Sequence, residues 1–262
     1  MNRTVAFIAL GIAAVTGLVF GLFPQLDIAI TRLFYEAGHG FAFASHTTLM
    51  LLRDVSMLIV GLLVAPAAAA VVAKLVQPSQ RLLIPGRAAV FLIVTVLLGP
   101  LLISNIILKD SWGRPRPRDT VTFGGTATFV PWWDPRGICA DNCSFVAGEA
   151  SGAFWTMAPA VLAPPQWRPL AYGAALAFGT AVGFLRIGFG GHFISDVVFA
   201  GVITFLIIWL VHGVLYRWRA TRISDDAIER VIAVIGLAIR KPFTGLFTRA
   251  GTRRQVAEEK RP

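Results

Sequence analysis

Residues 184–196 read FLRIGFGGHFISD: an arginine, a glycine-rich turn, a histidine and then an aspartate four residues on, set between two long apolar runs. If a helix begins near His192, Asp196 lies one turn further along the same face, within reach of the imidazole. A carboxylate in that place holds one ring nitrogen protonated and leaves the lone pair of the other as a nucleophile. Arg186, at the other end of the turn, carries a fork suited to phosphate oxygens. The same residues also describe a His–Asp pair that merely satisfies itself at the end of a membrane helix. This stretch alone does not separate the two readings.

Two more segments carry candidate chemistry. Residues 109–117 read KDSWGRPRP and residues 144–151 read SFVAGEAS. Cations at Lys109, Arg116 and Arg186 are costly at an apolar boundary unless they meet an anion. A helix starting after Ser144 would add backbone N–H groups and the positive end of a dipole.

The elements that must position these segments are membrane helices. The 262 residues are 56% hydrophobic and only 15% charged, and several stretches of about 20 residues are almost free of charge. The reading is an all-α polytopic membrane protein with six transmembrane helices at about 5–23, 55–73, 88–108, 145–163, 169–185 and 192–216. The first is too long for a signal-peptide core and is read as retained. Segment 24–54, with His39 and His46 among aromatics, reads as amphipathic and lying along the membrane surface; neither histidine has an acidic partner at metal-ligand spacing. Gly17 with Gly21, and Gly179 with Gly183, form small-xxx-small pairs for helix packing.

The net charge of +10 invites a nucleic-acid reading, but its distribution argues against one. With the N-terminus inside, 16 of the 24 Lys and Arg residues fall in cytoplasmic segments and 8 outside. Both termini are therefore assigned to the cytoplasm, and the three candidate segments to one depth on the outer face. A membrane domain over 1–216 is followed by a basic cytoplasmic tail, 217–262. There Ser224 caps a helix whose apolar face holds Ile228, Val231, Ile232, Ile235 and Ile239. Its expected partner is the anionic lipid of the inner leaflet, and 249–262 reads as a solvated end. Oligomeric state has no sequence signal.

With these residues set out, the chain resembles the type 2 phosphatidic acid phosphatases, whose motifs are K-x6-R-P, P-S-G-H and S-R-x5-H-x3-D. Lys109, Arg116 and Pro117 match the first. Arg186, His192 and Asp196 match the third, with Leu185 in place of its serine. The resemblance covers about residues 5–216. It implies metal-free and cofactor-free hydrolysis of a phosphate ester through a phosphohistidine. His192 would be the nucleophile, Asp196 its orienting group, and Lys109, Arg116 and Arg186 the holders of the phosphoryl oxygens.

The second motif departs from the pattern, reading Val146-Ala147-Gly148-Glu149. Ala147 and Gly148 keep backbone N–H groups for phosphate. Glu149 replaces the histidine that protonates the leaving oxygen, and three roles stay open for it: proton transfer to the leaving group, a base on the attacking water, or a partner for an arginine. Arg114 and Arg118 could supplement phosphate binding or meet lipid headgroups. Trp132 and Trp133 are expected at the headgroup layer. Cys139 and Cys143 either form a disulfide in an oxidising periplasm, steadying the entry to the fourth helix, or stay as two free thiols.

The expected substrate is a membrane lipid phosphate at the periplasmic face of a bacterial inner membrane. The altered second motif and the long outer loop lean towards lipid A, by analogy within the family. Undecaprenyl diphosphate is the alternative enzyme substrate, and a non-catalytic headgroup binder is the alternative of another class. A transporter is disfavoured: Pro66, Pro100 and Pro159 lie within spans, but no ionisable residue accompanies them at depth.

Overall fold

A computed structural model describes residues 2–221 and 223–240, which are mostly helical. Five helical stretches are long and apolar enough to cross a membrane: Arg3–Leu22, Thr47–Val76, Gly86–Ser111, Arg168–Gly188 and Ile194–Arg217. The first is α1. It is followed by α2 (Gln25–Arg32), a two-stranded hairpin of β1 (Tyr35–Glu36) and β2 (Gly40–Phe41), and α3 (Thr47–Val76). Segment 24–54 thus comprises α2, the hairpin and the start of α3, which begins eight residues before the expected span and takes Arg53 and Asp54 into its first turns. His39 lies 3.6 Å from Glu36 across exposed surface.

The third stretch combines α4 (Gly86–Val96), a π-helical segment (Leu97–Leu108) and the short α5 (Lys109–Ser111). Pro100 interrupts the regular ladder by removing an N–H. Asn105 answers from within the wider turns, donating from Nδ2 to the Pro100 carbonyl at 2.7 Å.

Where a continuous fourth span was expected, the chain forms two short helices, α6 (Gly148–Phe154) and α7 (Met157–Leu162), joined through Trp155 and Thr156. Their residues are nearly all buried. Small residues in α6 admit its neighbours, α8 (Arg168–Gly188) and α9 (Ile194–His212), and a helix wrapped by protein needs neither a full membrane length nor an apolar outer face. Buried polar groups along this seam satisfy one another. Ser151 Oγ lies 2.9 Å from Ser104 Oγ and 2.7 Å from Thr204 Oγ1, and the Trp155 indole donates to Thr95 Oγ1 at 2.9 Å. The Gly179/Gly183 pair packs as expected, the first against Phe154 and the second against Val197.

Gly17 does something different. It makes room for Trp132, which stacks on Phe145 and Phe199 and donates to the Gly17 carbonyl at 3.3 Å. Trp132 thus ties the long loop into the bundle, while Trp133 is half exposed.

The tail helix spans residues 225–240. Ile228 and Ile232 are buried, and the helix is pinned to the end of α3 by Lys74–Glu229 (3.3 Å) and to the start of α4 by Arg87–Asp225 (2.9 Å). Val231, Ile235 and Ile239, three of the five residues assigned to its apolar face, remain exposed. The tail expectations for 241–262 lie outside the described residues.

Candidate active site

The local chemistry of the 189–193 turn starts with glycine. Gly190 has φ +64°, and a Cβ on Gly191 would come within 2.7 Å of Arg186 Nη2. The glycines therefore let the C-terminal arginine of α8 fold back against the turn that presents His192. That imidazole is buried, and its Nδ1 lies 2.6 Å from the backbone carbonyl of Ser144. A carbonyl can only accept, so Nδ1 carries the proton and Nε2 keeps its lone pair. Burial, then the nearby charges of Arg186 and Arg116, hold the imidazole pKa well below the ordinary histidine value. His192 is neutral at neutral pH.

Asp196 does not touch the ring, which corrects the direct His–Asp contact expected from the spacing. The reason is the helix start. Phe193 is the N-cap of α9, and Asp196, at the third helical position, accepts from the Phe193 N–H at 2.8 Å. The same Oδ2 accepts from Ser144 Oγ at 2.5 Å. Asp196 therefore acts on His192 through Ser144, whose hydroxyl it holds and whose carbonyl holds the ring.

Beneath this lies a network that the spacing did not reveal. Arg114 is fully buried and spends its guanidinium on Asp27 Oδ2 (2.8 Å), Asp196 Oδ1, Ser195 Oγ (2.9 Å) and the Val130 carbonyl (2.9 Å). Its Cζ sits 4.4 Å from the ring centroid of Phe193. Asp27 also accepts from Ser195 N (3.0 Å) and Ser195 Oγ (2.6 Å). Neither phosphate nor headgroup lipid is the partner of Arg114. Arg118, by contrast, is half exposed.

The remaining cations approach from separate elements. Lys109, at the start of α5, lies 3.4 Å from Asn105 Oδ1. Arg116 donates to the Asn142 carbonyl at 2.8 Å and to its side-chain oxygen; burial, then Arg118, lower its pKa from the ordinary arginine value. Asn142 lies inside the loop closed by the Cys139–Cys143 disulfide, and that loop is laced to the first motif by Cys139 N to Gly113 O (3.1 Å), Cys143 N to Lys109 O (3.0 Å) and Ser144 N to Arg114 O (2.8 Å). The disulfide thus steadies the hook that holds Arg116 as well as the entry to α6.

Of the second-motif residues, Ala147 gives its N–H to the Asp196 carbonyl at 3.4 Å, so that group is engaged by protein. Gly148 is packed so closely that a Cβ would fall 2.1 Å from Asn105 Oδ1. Glu149 is paired: Arg53 grips both oxygens (2.9 and 2.8 Å), and Arg186 Nε stands 3.4 Å from Oε2. Among its three open roles, the arginine partnership is the one the geometry displays.

Asp27, Arg53, Asn142 and the role of Ser144 were missed. Asp27 and Arg53 had a signal, since a lone charge at the edge of an apolar run implies a partner. Nothing in spacing marks Asn142 or Ser144, whose contacts depend on the path of the loop. Among the described residues, no group of three or more His, Cys, Asp or Glu side chains could hold a metal ion.

Comparison with known proteins agrees with the motif reading. Three relatives are each named Lipid A 4'-phosphatase. The protein of Francisella tularensis subsp. novicida is 40% identical over 132 residues, 50% of this chain and 60% of its own length. That of Rhizobium leguminosarum is 34% identical over 199 residues, 69% of this chain and 83% of its own. The Rhizobium etli protein is 41% identical over 102 residues, 39% of this chain and 40% of its own. The chain thus spans less than two thirds of the Francisella and R. etli proteins. No solved structure matches it significantly. The PAP2 superfamily matches over residues 88–220, a stretch that carries Lys109, Arg116, Arg186, His192 and Asp196 together, and the chain belongs to that superfamily.

Proposed function

We propose that this protein is a phosphatase that removes phosphate from a membrane lipid, with the 4'-phosphate of lipid A as the favoured substrate. The observation that carries the reading is the setting of His192: its Nδ1 meets the Ser144 carbonyl at 2.6 Å and Arg186 folds against the turn that presents it, while burial and the charges of Arg186, Arg116 and Lys109 disfavour the protonated ring. A bare Nε2 among three cations is what attack on a phosphate dianion needs.

In this scheme His192 Nε2 forms a bond to phosphorus while the P–O bond to the lipid breaks. The cations take up charge on the equatorial oxygens, and Glu149, which takes a proton from solvent once the substrate phosphate has drawn Arg53 off it, passes that proton to the leaving oxygen. Water then attacks the phosphohistidine, releasing inorganic phosphate and restoring the neutral imidazole. Asp196 is a positioning residue that acts through Ser144.

The names of the relatives support lipid A as substrate. The site lies at the start of α3 and the end of α8, whereas the basic tail helix is pinned to the end of α3 and the start of α4. With most Lys and Arg residues on the tail side, this arrangement favours a site facing the periplasm of a bacterial inner membrane, with α6–α7 as a sixth crossing and both termini cytoplasmic.

The test is phosphate release by purified protein in EDTA from a panel of lipid A, undecaprenyl diphosphate and phosphatidate, with acid-quench trapping of the labelled enzyme. Release from lipid A together with an acid-labile, base-stable phosphoenzyme that is absent in His192→Ala is expected. Release abolished by the chelator, or retained by His192→Ala, would overturn the histidine mechanism.

A further inference from the structure

We propose that Arg53 is a fourth cation of the phosphate cradle, supplied by α3 from outside the three motif segments, and that the Glu149 carboxylate is the internal anion a phosphoryl group must displace from it. The identity of the ligand rests on the phosphatase reading above.

The argument is geometric. Arg53 Nε and Nη2 meet the two oxygens of Glu149 at 2.9 and 2.8 Å, the two-pronged match that a guanidinium makes equally well to two phosphate oxygens. One of those carboxylate oxygens also lies 3.4 Å from Arg186 Nε, a buried atom with no hydrogen bond. Arg186 is the motif arginine folded against the His192 turn. A single carboxylate thus spans Arg53 and a phosphate-binding arginine, which places Arg53 one anion's width from the reacting group.

The contrast with Arg114 is informative. Arg114, 0% exposed, is fixed by four acceptors and is a structural cation. The Arg53 side chain is 42% exposed, and among the described residues its one other ion-pair partner besides Glu149 is Asp54 at 3.9 Å, itself exposed. It is therefore free to exchange partners. Charge points the same way. Arg53 and Arg186 share the Glu149 carboxylate, and among the described residues neither Lys109 nor Arg116 forms an ion pair with one, so the four cations retain a surplus that suits a phosphate dianion. Exchange of Arg53 from carboxylate to phosphate also releases Glu149 for the proton transfer assigned to it.

The experiment is calorimetric titration of inorganic phosphate into purified full-length protein in detergent, which needs no turnover. Glu149→Gln removes the competing anion, and phosphate should bind about tenfold tighter, equivalent to ~1.4 kcal/mol. Adding Arg53→Gln in the Glu149→Gln background should cost about tenfold, because Arg53 then meets phosphate directly. Unchanged or weaker phosphate binding by Glu149→Gln would overturn the displacement. A loss under about twofold on adding Arg53→Gln would show that Arg53 only clamps Glu149. Should the double variant not be monodisperse, Arg53→Lys in the same background replaces it, with a several-fold loss expected from the missing second prong. Lipid hydrolysis is assayed separately. An inactive wild-type protein that still shows these shifts would refute the phosphatase reading and leave the cradle standing.

Discussion

Asp27→Ala is the perturbation that most directly examines how the site is held. Asp27 is fully buried and accepts from Arg114 Nη2 (2.8 Å), Ser195 N (3.0 Å) and Ser195 Oγ (2.6 Å). Breaking a buried ion pair by removing one partner costs about 3–5 kcal/mol. Arg114 keeps Asp196, so the lower end of that range applies to the charge. The orphaned Ser195 N–H adds roughly 1 kcal/mol, the cost of a buried donor left without a partner. The sum, about 4 kcal/mol, corresponds to roughly 8–16 °C of thermal midpoint for a chain of this size. Intrinsic tryptophan fluorescence of the detergent-purified protein on heating reads it. Asp27→Asn, which keeps an acceptor for Ser195, should lose about half as much. Activity separates support from generic damage. The cations assigned to phosphate lie elsewhere, so the KM for lipid phosphate should stay within about twofold while kcat falls roughly a hundredfold, the penalty of a nucleophile displaced by about an ångström. A midpoint within 2 °C of wild type, or a KM that rises while kcat holds, would refute the claim that Asp27 supports the nucleophile through Arg114 and Asp196.

Three other outcomes are expected. The folded pKa of His192 lies well below its unfolded value near 6.5, so the unfolded chain binds the extra proton first as pH falls. Stability is intact above about pH 6.5 and should drop by about 1 kcal/mol between pH 7 and pH 5.5; His192→Gln should remove that portion of the slope in paired melts, and an unchanged slope would contradict a neutral imidazole. Replacing both Cys139 and Cys143 by Ala frees the loop that carries Asn142, the partner of Arg116. KM should rise about fivefold, the cost of reordering one long side chain on binding, with a smaller change in kcat; an unaltered KM would dissociate the loop from Arg116. Gly191→Ala brings a Cβ within 2.7 Å of Arg186 Nη2 and should lower kcat/KM about a hundredfold without loss of folding. A near-normal rate would mean that Arg186 can shift at no cost to catalysis.

Much of the chemistry was legible because membrane topology is coarse and motif spacing is rigid. Long apolar runs mark five of the six expected crossings, and Lys109, Arg116, Arg186 and His192 are each located by a helix end. What stayed hidden has two causes. The α6–α7 pair is enclosed by protein, so its small residues, Gly148 to Ala153, answer to neighbouring helices rather than to lipid, and hydropathy reads through the break at Trp155–Thr156. Contacts across the 112–144 loop are set by its path. Only the K-x6-R-P spacing tells Arg116 from Arg114, two residues away, and it does not foretell that Arg114 is sealed beneath the site with two carboxylates while Arg116 faces Asn142. The His192–Asp196 spacing named two residues that Ser144 joins, through its carbonyl to the first and its hydroxyl to the second. The capping requirement of α9 then took the carboxylate for the helix start and left a backbone carbonyl to orient the ring.

This division has a consequence for how such a site is maintained. The residues assigned to phosphate and to nucleophilic attack all fall within 88–220, the stretch shared with the superfamily. Asp27 on α2 and Arg53 on α3 lie before it, and each binds a residue inside it: Asp27 through Arg114 and Ser195, Arg53 through Glu149. The two differ in kind. Asp27 sits in a fully buried network whose members cannot leave without exposing a buried charge, so it sets the height of His192 once, at folding. Arg53 sits at the rim with a partner it can release, so it acts at each binding event. A chain lacking the first 87 residues would keep every motif and still lack both the support beneath the nucleophile and the guanidinium that holds Glu149.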